Sequence, residues 1–388
     1  MKKVDLPEIF LILYSISLFF SIAVSQICLG ILIFFIILKL KKGEIKLKDF
    51  EFGLIILLFV IFVDVSLFYK IFLLKTIPLK IKKFFGGWLF FSFYAPLLLI
   101  KDKNFPKRLF DLMILSSAIA SIYGIFYVKY LANVYYPNLS YYDIGARGFY
   151  SHSLTSGNIW AMILILSIFL FYKFKNFRYF LLSVIIFIGL IFTFRRGPIL
   201  YFLVVFFVMN VIFFKKKGIV LSLVAIILIG SIFFMNQGLN KRVKMLLKAK
   251  NNPCSSTQIR LFLWKTSIKL VKKYPFFGVP KKFKEEVKKF TNLKCQQRGH
   301  PHNGFLTILV YYGIFPFILS LFLFFKLIKF LILKIKESEF ALLGFFIVLI
   351  YLLESLTENN FGDSEVKMVF WFLLGIIISG IKKGWKFQ

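Results

Sequence analysis

Long apolar runs separated by short charged clusters make up most of this 388-residue chain. A helix needs about 20 mostly apolar residues to cross a bilayer, because backbone groups without hydrogen bonds in hydrocarbon cost several kcal/mol. The runs predict twelve helices, near residues 7–22, 24–38, 52–69, 84–100, 109–131, 158–172, 179–194, 197–214, 218–235, 303–325, 340–356 and 366–381. No small-residue cleavage pattern follows the first run, so we expect it to be retained. The pattern predicts an all-α polytopic membrane protein.

One polar segment, residues 236–302, interrupts this pattern and divides the chain into three parts. Residues 1–235 would carry transmembrane helices 1–9, and residues 303–388 would carry helices 10–12. Within the polar segment, Ser255 and Gln258 have capping-box spacing, which predicts a helix running to about Lys273. A second amphipathic helix is expected from about Pro280, with three apolar side chains on one face, namely Phe283, Val287 and Phe290. The segment is therefore predicted to be a loop of two amphipathic helices.

The distribution of basic residues predicts the orientation in the membrane. With a cytoplasmic N-terminus, the cytoplasmic segments contain 24 of the 51 Lys and Arg residues, the other short segments 10, and residues 236–302 the remaining 17. Short cytoplasmic loops hold the excess of basic residues. Both termini are thus expected to be cytoplasmic, with the polar segment on the opposite, periplasmic side. Only Glu285 and Glu286 oppose its 17 basic residues, a balance that suits an anionic headgroup or a diphosphate.

The formal net charge of +34 does not indicate a nucleic-acid partner. Mean hydropathy is +0.82, and the basic clusters lie between apolar runs, where they would contact membrane lipids. The chain has no basic groove interleaved with aromatic residues of the kind that holds a nucleic-acid strand. Of the three cysteines, Cys28 is expected to pack inside a helix, whereas Cys254 and Cys295 share the polar segment. An oxidising compartment would permit a disulfide between them, and free thiols are the alternative.

Two of the three histidines lie where the polar segment turns into an apolar run. His300 and His302 precede Gly304, and an imidazole is suited to take a proton from a sugar hydroxyl because its pKa lies near ambient pH. The alternative is that His302 and Asn303 only cap the following helix. A zinc site from both histidines and His152 is disfavoured, because their i, i+2 spacing is not a helical ligand pair and no cysteine or carboxylate is adjacent.

Arginines are the candidates for binding a diphosphate, because the chain has no acidic pair of the Asp-x-Asp type that would hold a divalent metal. Lysine greatly outnumbers arginine, so arginine at a given place suggests bidentate phosphate recognition. Contact with lipid phosphate is the alternative for each of them. The candidates are Arg147, Arg195, Arg196 and Arg260.

Two further regions could line a site. Residues 133–158 are rich in Tyr, Gly and Ser and include His152, although tyrosines also form belts at membrane interfaces. Near the C-terminus, Glu354, Glu358 and Asp363 flank a turn on the non-cytoplasmic side. A buried acid in a membrane is a functional candidate by default, which favours Glu354.

Three stretches together resemble the O-antigen ligase family, membrane glycosyltransferases that complete lipopolysaccharide. Phe194 to Pro198 is similar to the family's arginine-containing turn. Arg260 to Trp264, followed by Pro275 to Val279, is similar to its Arg-x3-Trp and Pro-x-x-Gly stretches. His302 and Asn303, nine residues before Gly313, resemble its His-Asn-x9-Gly signature. Pro316 departs from the signature, which usually has a small residue or Tyr at that position.

The resemblance implies a GT-C-like fold in the bacterial inner membrane. It implies transfer of a glycan from undecaprenyl diphosphate to the lipid A core oligosaccharide, with inversion and without metal or other cofactor. By similarity, His302 would be the general base on the acceptor hydroxyl. Arg260 and one of Arg195 and Arg196 would bind the donor diphosphate, and the sequence leaves open which of the two does so.

Other functions are compatible with parts of the pattern. A Wzy-type O-antigen polymerase uses the same donor with a lipid-linked acceptor, and a protein-directed oligosaccharyltransferase is a third possibility. A flippase or transporter of lipid-linked glycans belongs to a different class and expects charged residues inside several helices. Such residues are scarce here, the main examples being Asp64, Asp111 and Glu354.

Overall fold

The computed structural model describes residues 5–75, 85–131, 144–235 and 252–387, and within them it is all-α. Fifteen α-helices lie in these ranges. They are α1 Leu6–Ser17, α2 Ile22–Lys41, α3 Gly53–Phe68, α4 Phe91–Leu99, α5 Phe105–Phe126, α6 Ser153–Phe174, α7 Phe177–Phe192, α8 Arg196–Phe214, α9 Lys216–Met235, α10 Ser256–Lys273, α11 Phe283–Val287, α12 Gly304–Tyr312, α13 Ile314–Lys334, α14 Glu339–Ser355 and α15 Ser364–Lys382. Short 3-10 turns precede α3 and α4, and a π-helical turn extends each of α3 and α5.

Each of the twelve predicted apolar runs contains a helix. Among the described residues, seven helices are long and apolar enough to cross a membrane, namely α2, α3 with its π-helical extension, α5, α6, α8, α13 and α15. Three shorter apolar helices correspond to α1, α4 with the preceding turn, and α7. The prediction of a multi-pass helical membrane protein is therefore confirmed, and the count of twelve crossings stays a prediction.

Helix α6 lies at the centre of the bundle and packs against α5, α7, α8 and α14, so most of its side chains are buried. Helix α15 is almost as deeply buried, between α4 and α14. A hydrogen bond connects the N-terminal ends of α6 and α15, in which Thr155 Oγ1 donates to Asp363 Oδ2 at 2.6 Å. Arg195, just before α8, joins the same end through its Nε, which is 2.8 Å from Ser153 Oγ. We call this end of the bundle the site end.

The predicted helix over residues 303–325 is wrong in one respect, because the chain breaks there into α12 and α13. The break is at Gly313, whose φ is +90°. A Cβ at this position would lie 1.9 Å from the carbonyl oxygen of Phe276, so only glycine allows the two backbones to approach. The apolar run is continuous at this point and gave no sign of the break.

The polar segment is described from residue 252, and residues 236–251 lie outside the described part. Its first predicted helix is confirmed as α10, where the Ser255 side chain accepts a hydrogen bond from the Gln258 backbone N–H. The second predicted helix is much shorter than expected, since α11 has only five residues. Its apolar face is partly confirmed, because Phe283 and Val287 are fully buried. Phe290 was predicted on that face and is instead exposed, because it follows the end of the helix.

The two cysteines of the polar segment form a disulfide. Their sulfurs are 2.01 Å apart, so of the two alternatives the structure contains the cross-link. The disulfide joins Cys254, just before α10, to Cys295 in the 3-10 turn Lys294–Gln296. Gln296 Nε2 reinforces this connection by donating to the Pro253 carbonyl at 3.2 Å. The disulfide thus fixes the start of α10 to the 3-10 turn near the site end.

We expect Gly313→Ala to lower the thermal unfolding temperature of the purified protein in detergent. The left-handed backbone and the contact with Phe276 together should cost about 1–3 kcal/mol or more. Gly30→Ala is the matched control, because Gly30 is inside α2 with open space where a Cβ would lie. That variant should be neutral or slightly stabilised. Equal unfolding temperatures for the two variants would contradict the role assigned to Gly313.

Candidate active site

A buried carboxylate, that of Glu358, lies at the centre of the candidate site. Glu358 is in the turn between α14 and α15, and only 5% of its side chain is exposed. Arg260 Nη2, from α10, donates a hydrogen bond to Glu358 Oε1. The other oxygen, Oε2, faces His302 Nδ1 at 3.6 Å, which is too long for a hydrogen bond but within ion-pair distance of a protonated imidazole. One carboxylate therefore brings together two residues that the sequence predicted for the site.

The backbone around His302 is arranged so that its side chain turns toward this carboxylate. His302 has a φ of +54°, an uncommon conformation for a residue with a side chain. Its N–H donates to His300 Nδ1 at 3.2 Å. The predicted cap is provided by Asn303, whose Oδ1 accepts from the Leu306 N–H at 2.8 Å. Asn303 Nδ2 also donates to the Leu356 carbonyl at 2.8 Å, which fixes α12 to the turn that carries the carboxylate.

Trp264 connects α10 to residues 300–302, which we call the histidine loop. Its indole Nε1 donates to the Pro301 carbonyl at 3.0 Å. Trp264 lies four residues after Arg260, so both side chains leave the same face of the helix. The Arg-x3-Trp spacing thus lets one helix face hold the histidine loop and pair with the buried carboxylate.

The Pro-x-x-Gly stretch packs directly against the break between α12 and α13. The Val279 N–H donates to the Val310 carbonyl at 2.8 Å, and the Ile314 N–H donates to the Pro275 carbonyl at 2.9 Å. Gly278 has a φ of +72°, and a Cβ there would lie 2.4 Å from the Val310 oxygen. The second and third predicted motifs therefore form one interlocked backbone unit.

The two arginines at the start of α8 contact different neighbours. Arg195 Nε is bonded to Ser153 Oγ, at the start of α6. Arg196 Nη2 is 3.4 Å from Thr257 Oγ1, on the first turn of α10. Thr257 precedes Arg260 by three residues and so lies on the same helix face. The geometry brings Arg196 beside Arg260, whereas Arg195 is directed toward the α6 end of the site.

His152 caps α6, because its Nδ1 accepts from the Leu154 N–H at 3.1 Å. Burial lowers the pKa of His152, and the positive charges of Arg195 and Arg147 lower it further. The carboxylates of Glu358 and Asp363 act in the opposite direction. His152 therefore lies within electrostatic reach of the charged residues of the site, and its role as a site-lining residue stays a prediction.

Arg147 is held at the edge of this region. Its Nη2 is 2.5 Å from the hydroxyl of Tyr127, and its guanidinium lies 4.4 Å from the centre of that ring. The neighbouring backbone supports the arginine turn, because the Ala146 N–H donates to the Phe192 carbonyl at 2.7 Å. Residues 133–143 of the Tyr-rich stretch lie outside the described part of the chain.

Glu354 is the acid that the sequence favoured, but the structure places it in a different environment from Glu358. It is fully buried one turn deeper, and its Oε2 accepts from Asn360 Nδ2 at 3.3 Å. Asn360 Oδ1 in turn accepts from Asn158 Nδ2 on α6 at 2.8 Å. Glu354 thus belongs to a buried polar network between helices. The residue that sequence reasoning passed over is Glu358, whose partner Arg260 lies 98 residues away in the chain.

His300 and His302 lie close together, next to the charged residues of the site. The rings of His300 and His302 have centres 4.3 Å apart. Within residues 5–75, 85–131, 144–235 and 252–387, no three His, Cys, Asp or Glu side chains come together in a way that could hold a metal ion.

These features define a multi-pass helical membrane protein with a charged site at one end of its bundle. Residues 181–321 match the family model described as O-antigen ligase. The match includes all three motifs and confirms the resemblance to that family. At the family level it indicates a membrane glycosyltransferase of the ligase or polymerase type, with lipid-linked polysaccharide substrates. No curated protein matches the chain.

We expect the histidine loop to become less stable on acidification. Burial lowers the pKa of His300 from 6.5 to about 4, and the nearby charge of His302 adds to this effect. Below pH 6.5 the unfolded loop takes up a proton that the folded loop does not accept until about pH 4, so stability is lost as the pH falls through this window.

Limited proteolysis of the purified protein between pH 7 and pH 4.5 would measure this loss. His300→Asn keeps a hydrogen-bond acceptor but does not titrate, so its cleavage rate should depend less on pH than that of the wild type. The same pH dependence in both proteins would exclude His300 as the cause.

Proposed function

We propose that the protein is an O-antigen ligase of the bacterial inner membrane. It would transfer a polysaccharide from undecaprenyl diphosphate to the lipid A core oligosaccharide in lipopolysaccharide biosynthesis. The observation that carries this proposal is the buried carboxylate of Glu358, which bonds to Arg260 and faces His302. The O-antigen ligase match over residues 181–321 includes both of those basic residues, and it supports the choice of substrates.

In the proposed reaction, His302 is the general base. A carboxylate facing one imidazole nitrogen orients the ring and stabilises the imidazolium, so the other nitrogen can remove a proton from an acceptor hydroxyl. The hydroxyl oxygen forms a bond to the anomeric carbon of the donor sugar. The bond between that carbon and the diphosphate oxygen breaks, and its electron pair leaves with the diphosphate. Attack opposite the leaving group inverts the anomeric configuration.

Arginines would stabilise the departing diphosphate. A guanidinium has five N–H donors in a planar fork, so Arg260 can bond to Glu358 and still bind phosphate oxygens. Arg196, held beside Thr257 on the same helix face, is the second candidate for this role, and Arg195 would act from the α6 side. Charge neutralisation by arginine makes the proposed mechanism independent of a metal.

The proposed orientation places the site on the periplasmic side, with both termini in the cytoplasm. The excess of basic residues in the short segments of the opposite side supports this orientation. The disulfide between Cys254 and Cys295 also supports it, because disulfides persist in oxidising compartments such as the periplasm.

Lipopolysaccharide profiles of a deletion strain test the proposed function. Loss of a ligase should leave long lipid-linked polymer and a bare core, whereas loss of a polymerase should leave single units on the core. Loss of a flippase should instead trap the donor on the cytoplasmic side. Complementation with His302→Ala, shown to be folded, should fail, because removing a general base lowers the rate by about 10²–10⁴. Ligation at the wild-type rate by that variant would refute the mechanism.

We further expect Glu358→Gln to slow ligation by about tenfold or more, since a charge-assisted hydrogen bond is worth about 1.5–3 kcal/mol. The amide keeps the shape of the side chain but neither neutralises Arg260 nor orients an imidazolium. Glu285→Gln, at an exposed position of the polar segment, is the control and should ligate normally. The measurement is the rate of ligation by purified variants at saturating donor. A normal rate for Glu358→Gln would show that the carboxylate only supports the fold.

A further inference from the structure

A cavity of about 130 Å³ lies between α3, α12, α13, α15 and the turn before α4. Its walls are mostly apolar and rich in aromatic rings, which include Phe59, Phe90, Phe324, Phe361 and Trp371. The proposed chemistry at His302 uses none of these side chains. The cavity is therefore a separate feature with its own chemical character.

Two charged side chains, Asp64 and Lys367, also line this cavity. Within the part of the chain that the structure describes, neither forms an ion pair or a side-chain hydrogen bond. The acid one helical turn before the lysine is Asp363, which accepts from Thr155 and from the first N–H groups of α15. Because Asp64 and Lys367 do not pair with each other, each charge in this largely apolar cavity lacks a close counter-ion among the described residues, so the lysine side of the cavity suits an amphiphile with a negative head.

The cavity shares its walls with the candidate active site. Thr307 lines it on α12, and its Oγ1 donates to the Asn303 carbonyl at 2.7 Å, directly after the histidine loop. Phe361 and Gly362 line it from the turn that also carries Glu358. A molecule in the cavity would therefore have one end next to the charged residues of the site.

Helices that are suited to a membrane surround the cavity. Helices α3, α13 and α15, which form three of its walls, are long and apolar enough to cross a bilayer. Helix α3 is a peripheral wall, because Leu57 and Ile61 on its other side are about half exposed and would face lipid. Asp64 and Lys367 each lie within about two turns of the site end of their helices. A lipid chain could thus enter from the side while its head stays near the site.

We propose that this cavity binds the first isoprenoid units of the lipid-linked donor, with the Lys367 ammonium against the phosphate that is bonded to the lipid. The identity of the donor rests on the proposed function. Asp64 would repel phosphate and so place it at the lysine side of the cavity. The second phosphate, which carries the sugar, then extends toward Arg260 and His302. The donor diphosphate is thereby held from both ends, by lysine within the membrane and by arginine above it.

Photo-crosslinking of the purified full-length protein in nanodiscs tests this proposal without any turnover. The probe is a polyprenyl diphosphate without sugar that carries a diazirine on its first isoprenoid units. Labelled peptides should come from the walls formed by α3 and α15. Lys367→Gln should lower the labelling by about tenfold or more, because a charge-assisted bond to phosphate is lost. Lys367→Arg should retain it, and Lys326→Gln, at an exposed position of α13, should match the wild type.

Several outcomes would overturn the proposal. Labelling that is unchanged in Lys367→Gln would do so, as would equal labelling by a diazirine-tagged phosphatidylglycerol, which would mark the cavity as a place for ordinary lipid. If Lys367→Gln does not fold, Ser320→Phe provides the second measurement, since it fills the cavity and keeps the charge. That variant should also lose labelling, and full labelling would refute the assignment. His302→Ala should be labelled normally, so failure of the ligase mechanism and failure of the lipid site give different results.

Discussion

Neutralisation of the Glu358 carboxylate is the interaction on which the rest of the site depends. A carboxylate removed from water is strongly unfavourable unless a cation and hydrogen bonds compensate for it. Here the compensating cation is Arg260, on a helix that belongs to the polar segment and not to the bundle. The ion pair therefore holds α10 against the turn between α14 and α15. Because the second carboxylate oxygen faces His302, the same requirement also fixes where the histidine loop must lie.

Most of the motif residues hold backbone segments in position, and only a few side chains are proposed to take part in the chemistry. Asn303 caps α12 and bonds to the carboxylate-bearing turn, and Trp264 holds the loop by one carbonyl. Gly278 and Gly313 allow two loops to approach more closely than any side chain would permit. These contacts join segments that are far apart in sequence. The motifs of this protein therefore contain residues that hold backbone segments together as well as residues proposed to take part in the reaction.

The helices could be predicted from sequence because apolar length is a local property, and every predicted run contains one. The break at Gly313 could not, because glycine is common in membrane helices and an uninterrupted apolar run does not show which backbone approaches it. Glu358 could not be chosen over Glu354, since hydropathy favours the deeper acid and the partner of Glu358 lies 98 residues away. The disulfide was permitted by the sequence but not required, because the distance between Cys254 and Cys295 depends on the fold.

The direction of the helices gives the site end a further property. Helices α6, α8, α12 and α15 all begin there, whereas α14 ends there. Each N-terminus carries about half a positive charge from its unsatisfied N–H groups, and such ends favour anions. Asp363 and Asn303 satisfy some of these groups with their own side chains. The bundle thus supplies fixed dipoles and the polar segment supplies arginine, so an anionic group is stabilised best where the two structures meet.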